Sequence, residues 1–179
     1  MPKIAAAAVL ALALQAPAFA HEVDEYVQAA MISLQRDHLD VQLRLVPGAD
    51  VFSQVFANID TNADGALSEL EKQAYARSVL RDLTFTLNGK RMVSEIVSFN
   101  YPTVDAMKEG IGEIHLMLRV PITSSGGARH KLVLENRHQR GISAYLVNCL
   151  APRDPALHIV RQRRSADQQR YELDYEAAT

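Results

Sequence analysis

Leu39, Val41, Leu43 and Leu45 alternate with Asp40, Gln42 and Arg44. A strand turns successive side chains to opposite faces, so such a run needs a core on one side and water on the other. Tyr26 to Leu34 precedes it across the polar turn Arg36–His38, and the two runs are expected to pair as a hairpin. Pro47-Gly48 ends the second run. The same period returns where Ile114, Leu116, Leu118 and Val120 alternate with Glu113, His115, Met117 and Arg119. Other strands are predicted at Thr84–Leu87, Met92–Phe99, Lys131–Glu135, Ser143–Leu150, Leu157–Arg163 and Gln168–Tyr175. The Ile114–Val120 alternation extends this reading to a strand over Ile111–Val120. Asn88-Gly89 supplies the positive φ angles of a type I′ hairpin turn. Ser124–Gly127 reads as a flexible turn. About nine short strands with turn signals between them point to a β-sandwich or barrel.

One segment breaks the period of two. Val51, Phe52, Val55, Phe56 and Ile59 recur at spacings that fall on one side of a helix, with Asp50 as the expected N-cap. Leu70, Ala74, Val79, Leu80 and Leu83, among charged residues, predict a second helix. Residues 50–82 therefore read as a helix-loop-helix set into strands. The expected fold class is α+β, a mainly antiparallel β-sandwich with this insert.

The loop between the helices reads Asp-Thr-Asn-Ala-Asp-Gly-Ala-Leu-Ser-Glu-Leu-Glu from Asp60 to Glu71. Ca²⁺ takes six to eight oxygen ligands at about 2.3–2.6 Å, and a twelve-residue EF-hand loop supplies them from positions 1, 3, 5, 7, 9 and 12. Those positions are Asp60, Asn62, Asp64, Ala66 through its carbonyl, Ser68 through a bridging water, and Glu71 through both carboxylate oxygens. Gly65 stands at position 6, where the chain must turn sharply. Leu67 at position 8 is expected to pack inward. The pattern predicts one Ca²⁺, bound with modest affinity, as in extracellular modules at about 10⁻⁴–10⁻³ M. Met31, Met92, Met107 and Met117 form no helical stripe, so a structural clip fits better than a sensor's target groove.

The N-terminus bears on where such a site works. Lys3, the uncharged run Ile4–Leu14 and Ala18-Phe19-Ala20 have the form of a signal peptide over residues 1–20. Cleavage after Ala20 leaves a single domain over 21–179 that begins with His21, in the periplasm or secreted. The apolar run is too short to span roughly 30 Å of hydrocarbon, and no later stretch is long and apolar enough. No transmembrane segment is expected in the mature chain. The one cysteine, Cys149, permits no internal disulfide and reads as a small buried residue. A net charge of −2 gives no nucleic-acid surface.

Two further classes of function turn on other residues. His21 would offer an amine and an imidazole to Cu²⁺ or Ni²⁺, aided by one of His38, His115, His130, His138 or His158. These histidines are scattered without ligand spacing and read as surface residues, so transition-metal handling stands as the alternative. An enzyme is not expected: there is no Gly-x-Ser-x-Gly elbow, phosphate-binding glycine loop or His-Glu-x-x-His helix. Asp105 and Asp154 lie near turns and suit backbone hydrogen bonds. Arg161, Arg163 and Arg164 read as the solvated face of an edge strand.

Taken together, Ala20-His21, the strand pair, the Asp60–Glu71 loop and the later strands resemble a known arrangement. It is the extracytoplasmic domain of hydrogenase/urease-accessory nickel/cobalt permease-like membrane proteins. Leu132–His138 and Ala144–Asn148 resemble that family as well, without chemistry assigned to them. The chain departs from the family by lacking its membrane helices, so transport is not carried over. The resemblance implies an accessory or sensing role beside an envelope membrane-protein partner.

Overall fold

Strand pairs organise the described chain, residues 24–122 and 128–178 of a computed structural model. The first is β1 (Tyr26–Leu34) with β2 (His38–Pro47), an antiparallel hairpin in register from Tyr26↔Pro47 to Leu34↔Leu39. Both alternate buried and partly exposed positions, as the apolar period requires. Then come α1 (Phe52–Ile59), α2 (Glu69–Asp82), β3 (Leu83–Leu87), β4 (Lys90–Arg91), β5 (Glu95–Asn100) and α3 (Val104–Lys108). The rest is β6 (Ile114–Pro121), β7 (Arg129–Asn136), β8 (Ser143–Cys149), β9 (Leu157–Arg164) and β10 (Arg170–Ala177).

The strands form two five-stranded sheets, ordered β5-β6-β2-β1-β8 and β4-β3-β7-β10-β9. Apolar faces from both enter one hydrophobic core, in which Ile32, Leu43, Leu118, Phe85, Leu132 and Leu173 are buried. The protein is thus β-rich and two-sheeted, with helices added. Pairing is antiparallel except β1 with β8, which run parallel from Tyr26↔Ser143 to Ile32↔Cys149. Cys149 is buried and free, as expected of a small core residue. β9 is an edge strand, and its arginines are exposed. Arg163 pairs with Glu172 at 2.9 Å, while Arg164 donates to the Val147 carbonyl at 2.8 Å and ties this edge to β8.

Several boundaries differ from the sequence reading, each for a physical reason. Asn88 and Gly89 have φ of 50° and 81°, as a type I′ turn needs. The strand returning from that turn splits, however: Lys90–Arg91 pairs with β3, and the chain then joins the other sheet as β5 beside β6. α3 was not expected, although Thr103 caps it by accepting from the Ala106 N–H at 3.2 Å. Asp50 does not cap α1, because the helix starts one residue later on Val51, without a side-chain cap. α1 depends instead on packing, with Val55 and Ile59 fully buried at about 1.5–3 kcal/mol each. In α2 the buried residues are Glu71, Tyr75, Ala76 and Val79, whereas Leu70 is 79% exposed. Successive helix residues differ by about 100°, which turns the Leu70–Ala74 row away from the face carrying Tyr75 and Val79.

Residues 1–20, His21 and the Ser124–Gly127 turn lie outside the described residues. Among the described residues, no helix is long and apolar enough to cross a membrane.

Candidate metal centre

Residues 60–68 join the end of α1 to the start of α2. Ser68 is the N-cap of α2: its hydroxyl accepts from the Glu71 N–H at 3.3 Å, and the Glu71 side chain accepts from the Ser68 N–H at 3.0 Å. This reciprocal capping box satisfies two donors that a helix start leaves free. The Ser68 hydroxyl also donates to Glu71 Oε2 at 2.7 Å. The other oxygen, Oε1, accepts from the Thr61 N–H at 2.9 Å and the Asn62 N–H at 3.4 Å. Glu71 therefore bridges the two ends of the turn.

Asp60 faces the middle of the turn. Its Oδ1 accepts from the Asp64 N–H at 3.2 Å and its Oδ2 from the Gly65 N–H at 2.9 Å. Gly65 has φ of +80° with open space around its missing Cβ, so conformation rather than crowding selects glycine here. Asn62 holds Asp64 through Nδ2 to Oδ2 at 2.9 Å, and Asp64 Oδ1 accepts from the Ala66 N–H at 2.9 Å. Leu67 packs against the core, as position 8 predicted.

The electrostatics are lopsided. Asp60 and Glu71 are each only 7% exposed, and Asp64 stands beside them. Among the described residues, none of the three pairs with a cationic side chain within 4 Å; the nearby Lys72 pairs with Glu69. Buried carboxylates are ordinarily paired with a cation or bound to a metal. The donors at the six expected positions are all oxygen, which suits a hard divalent ion.

The carboxylates are nevertheless not gathered. Among the described residues, no three His, Cys, Asp or Glu side chains stand close enough together to hold a metal. Asp60 and Glu71 share the inner side of the turn, while Asn62, Asp64 and Ala66 bond among themselves on the exposed rim. Mutual repulsion and the available backbone N–H groups favour that spread arrangement.

The Glu71 carboxyl is held down to about 2, chiefly by the Ser68 hydroxyl and then by the Ser68, Thr61 and Asn62 N–H groups. A carboxyl depressed in the folded state adds stability above its unfolded value near 4.5. That contribution is lost as pH falls from there toward about 2. Ser68→Ala should therefore raise the Glu71 pKa and cost about 1 kcal/mol at neutral pH through the lost cap. Urea unfolding at pH 7 and pH 3 measures both effects, and the mutational cost should shrink at the lower pH.

The histidines are dispersed, but one is not a surface residue. His38 meets Asp37 at 2.7 Å, His115 meets Glu113 at 3.1 Å, His130 stacks on Tyr175 and His158 is exposed. His138 is only 4% exposed, which corrects the surface reading. Its Nδ1 lies 2.8 Å from Asp82 and its Nε2 lies 3.0 Å from the Tyr75 hydroxyl, which meets the Tyr26 hydroxyl at 2.8 Å. Burial lowers the His138 pKa against the pull of Asp82, which favours the neutral ring. One proton order then satisfies the row: Tyr26 donates to Tyr75, Tyr75 to Nε2, and Nδ1–H to Asp82.

Behind it lies a second buried group. Asn136 donates to Gln28 at 2.8 Å and accepts from the His138 N–H at 2.9 Å, while Gln28 and Tyr145 both donate to the His138 carbonyl. The Asn136-Arg137-His138 and Tyr145 segments stood out in the sequence, but no spacing tied them to Gln28, Tyr75 or Asp82. Those partners lie 56 to 110 residues away along the chain. Compared with models of known families, with curated proteins and with solved structures, the chain matches none.

Proposed function

We propose that this protein is exported and binds one Ca²⁺ in the Asp60–Glu71 loop, an EF-hand. The cation there clips α1 and α2 against the sheets. One observation carries the reading: two buried carboxylates face a single turn, with no cationic side chain to neutralise them among the described residues. Asp60, Asn62, Asp64 and Glu71 would hold the ion through side-chain oxygens, Ala66 through its carbonyl and Ser68 through water. The ion would supply the missing positive charge.

Export to the periplasm or outside rests on the Ile4–Leu14 run and Ala18-Phe19-Ala20. An accessory role beside an envelope membrane protein rests on the family resemblance alone. Catalysis has no support in the residues of the loop.

Calcium should raise the melting temperature, a chelator should reverse the rise, and equimolar Mg²⁺ should do less. Differential scanning calorimetry reads all three. Equal curves with calcium and with chelator would remove the proposal.

A further inference from the structure

A cleft of about 440 Å³ opens between α1, α2 and the turn after β7. It is lined by Gln54 and Asn58 of α1, by Tyr75, Ser78 and Asp82 of α2, and by residues 138–141. Its size falls in the range of small-molecule sites. It lies apart from the six oxygen donors of the loop.

Its charged groups are prepared but not used up. Asp82 Oδ2 is fixed by His138, and among the described residues Oδ1 has no partner. His138 is itself held by Tyr75, Asn136, Gln28 and Tyr145, so it positions this carboxylate rigidly. Arg140 lines the same cleft and, among the described residues, forms no ion pair within 4 Å, although its charge also acts on Asp167, with which it lines a neighbouring cleft. Gln139 has φ of 48°, an uncommon conformation for a non-glycine residue, while its amide donates to the Tyr75 hydroxyl at 3.2 Å. Such conformations concentrate at binding sites, where surrounding contacts enforce them. Among the described residues, the Gln54 side-chain amide and the Asn58 side-chain oxygen have no hydrogen-bond partner.

A ligand that complements this lining carries a cation for Asp82 and an anion for Arg140, beside the polar side chains of Gln54 and Asn58. We propose that the cleft binds a free amino acid, its ammonium on Asp82 and its carboxylate on Arg140. Fixing Asp82 in advance lowers the ordering cost of binding. A bidentate guanidinium–carboxylate pair gives the other end direction.

Each of the twenty standard L-amino acids is titrated into the full chain at millimolar concentration by calorimetry. Each titration is run once with calcium and once with chelator, because the loop joins the two helices that line the cleft, so failure of the calcium reading is told apart from failure of this one. At least one should bind, and its methyl ester and its N-acetyl derivative should each bind about tenfold more weakly or worse. Arg140→Gln, which removes no internal ion pair, should keep its circular dichroism spectrum and melting temperature while losing about tenfold in affinity for the parent amino acid. Its affinity for the ester should not change. Absence of binding by all twenty, an ester as tight as its parent, or an unchanged Arg140→Gln affinity would each overturn the assignment.

Discussion

Asn136→Ala should destabilise the protein by about 2–6 kcal/mol, the largest expected effect of a single substitution outside the apolar core. Asn136 is buried at the end of β7 and serves two groups that water cannot reach. Its amide donates to Gln28 on β1, and its oxygen takes the His138 N–H. Truncation leaves both unpaired, and each orphaned buried group costs about 1–3 kcal/mol. Because β1 and β7 belong to different sheets, the loss also releases a polar staple between them. A native domain is stable by only about 5–15 kcal/mol, so the variant should unfold at markedly lower urea. The Gln28→Ala/Asn136→Ala double variant should cost less than the two single changes added together, since they share one bond. Additive costs, or a single-variant loss below about 0.5 kcal/mol, would show that the staple contributes little.

Glu71→Gln should abolish the thermal response to calcium while leaving the fold intact. With a Kd of about 10⁻⁴ M, roughly 10 mM Ca²⁺ is about 100 times Kd, which stabilises the native state by about 2.7 kcal/mol. For a chain of this size each kcal/mol moves the melting temperature by about 2–4 °C, so the wild-type rise should be roughly 5–11 °C. Glutamine keeps the length and can hold the capping box through its one oxygen, while its NH₂ can no longer accept from the Thr61 and Asn62 N–H groups, a modest cost apart from the calcium response. It loses the negative charge and the bidentate grip on the ion. The variant's rise should fall below about 1 °C. A wild-type-sized rise in Glu71→Gln would place the calcium elsewhere.

Much of the sheet architecture was legible because it follows from period. Leu39, Val41, Leu43 and Leu45 are all buried, as their alternation demanded, and Asn88-Gly89 turns as its dihedrals allow. The helix-loop-helix was legible from a switch of period at Val51. Its details were not: Leu70 resembles a core residue by type, but the buried face is set by where Ser68 caps α2. The passage of the chain from β4 to β5 leaves no mark in local hydrophobicity, since both ends look like one strand. The parallel β1–β8 pairing joins residues more than a hundred apart, and nothing local encodes it. In the loop, the donor types and Gly65 could be read directly, whereas the outward turn of Asp64 toward Asn62 could not. His138 shows the limit most clearly. Its burial depends on Tyr75, Asp82 and Gln28, three residues without any common motif.

The most direct test of the calcium reading is isothermal titration of metal-stripped protein with CaCl₂ in chelator-free buffer. One ion per chain is expected, with a Kd near 10⁻⁴–10⁻³ M and with the heat lost in Glu71→Gln. No calcium uptake at millimolar concentration, or uptake unaltered by that substitution, would contradict it.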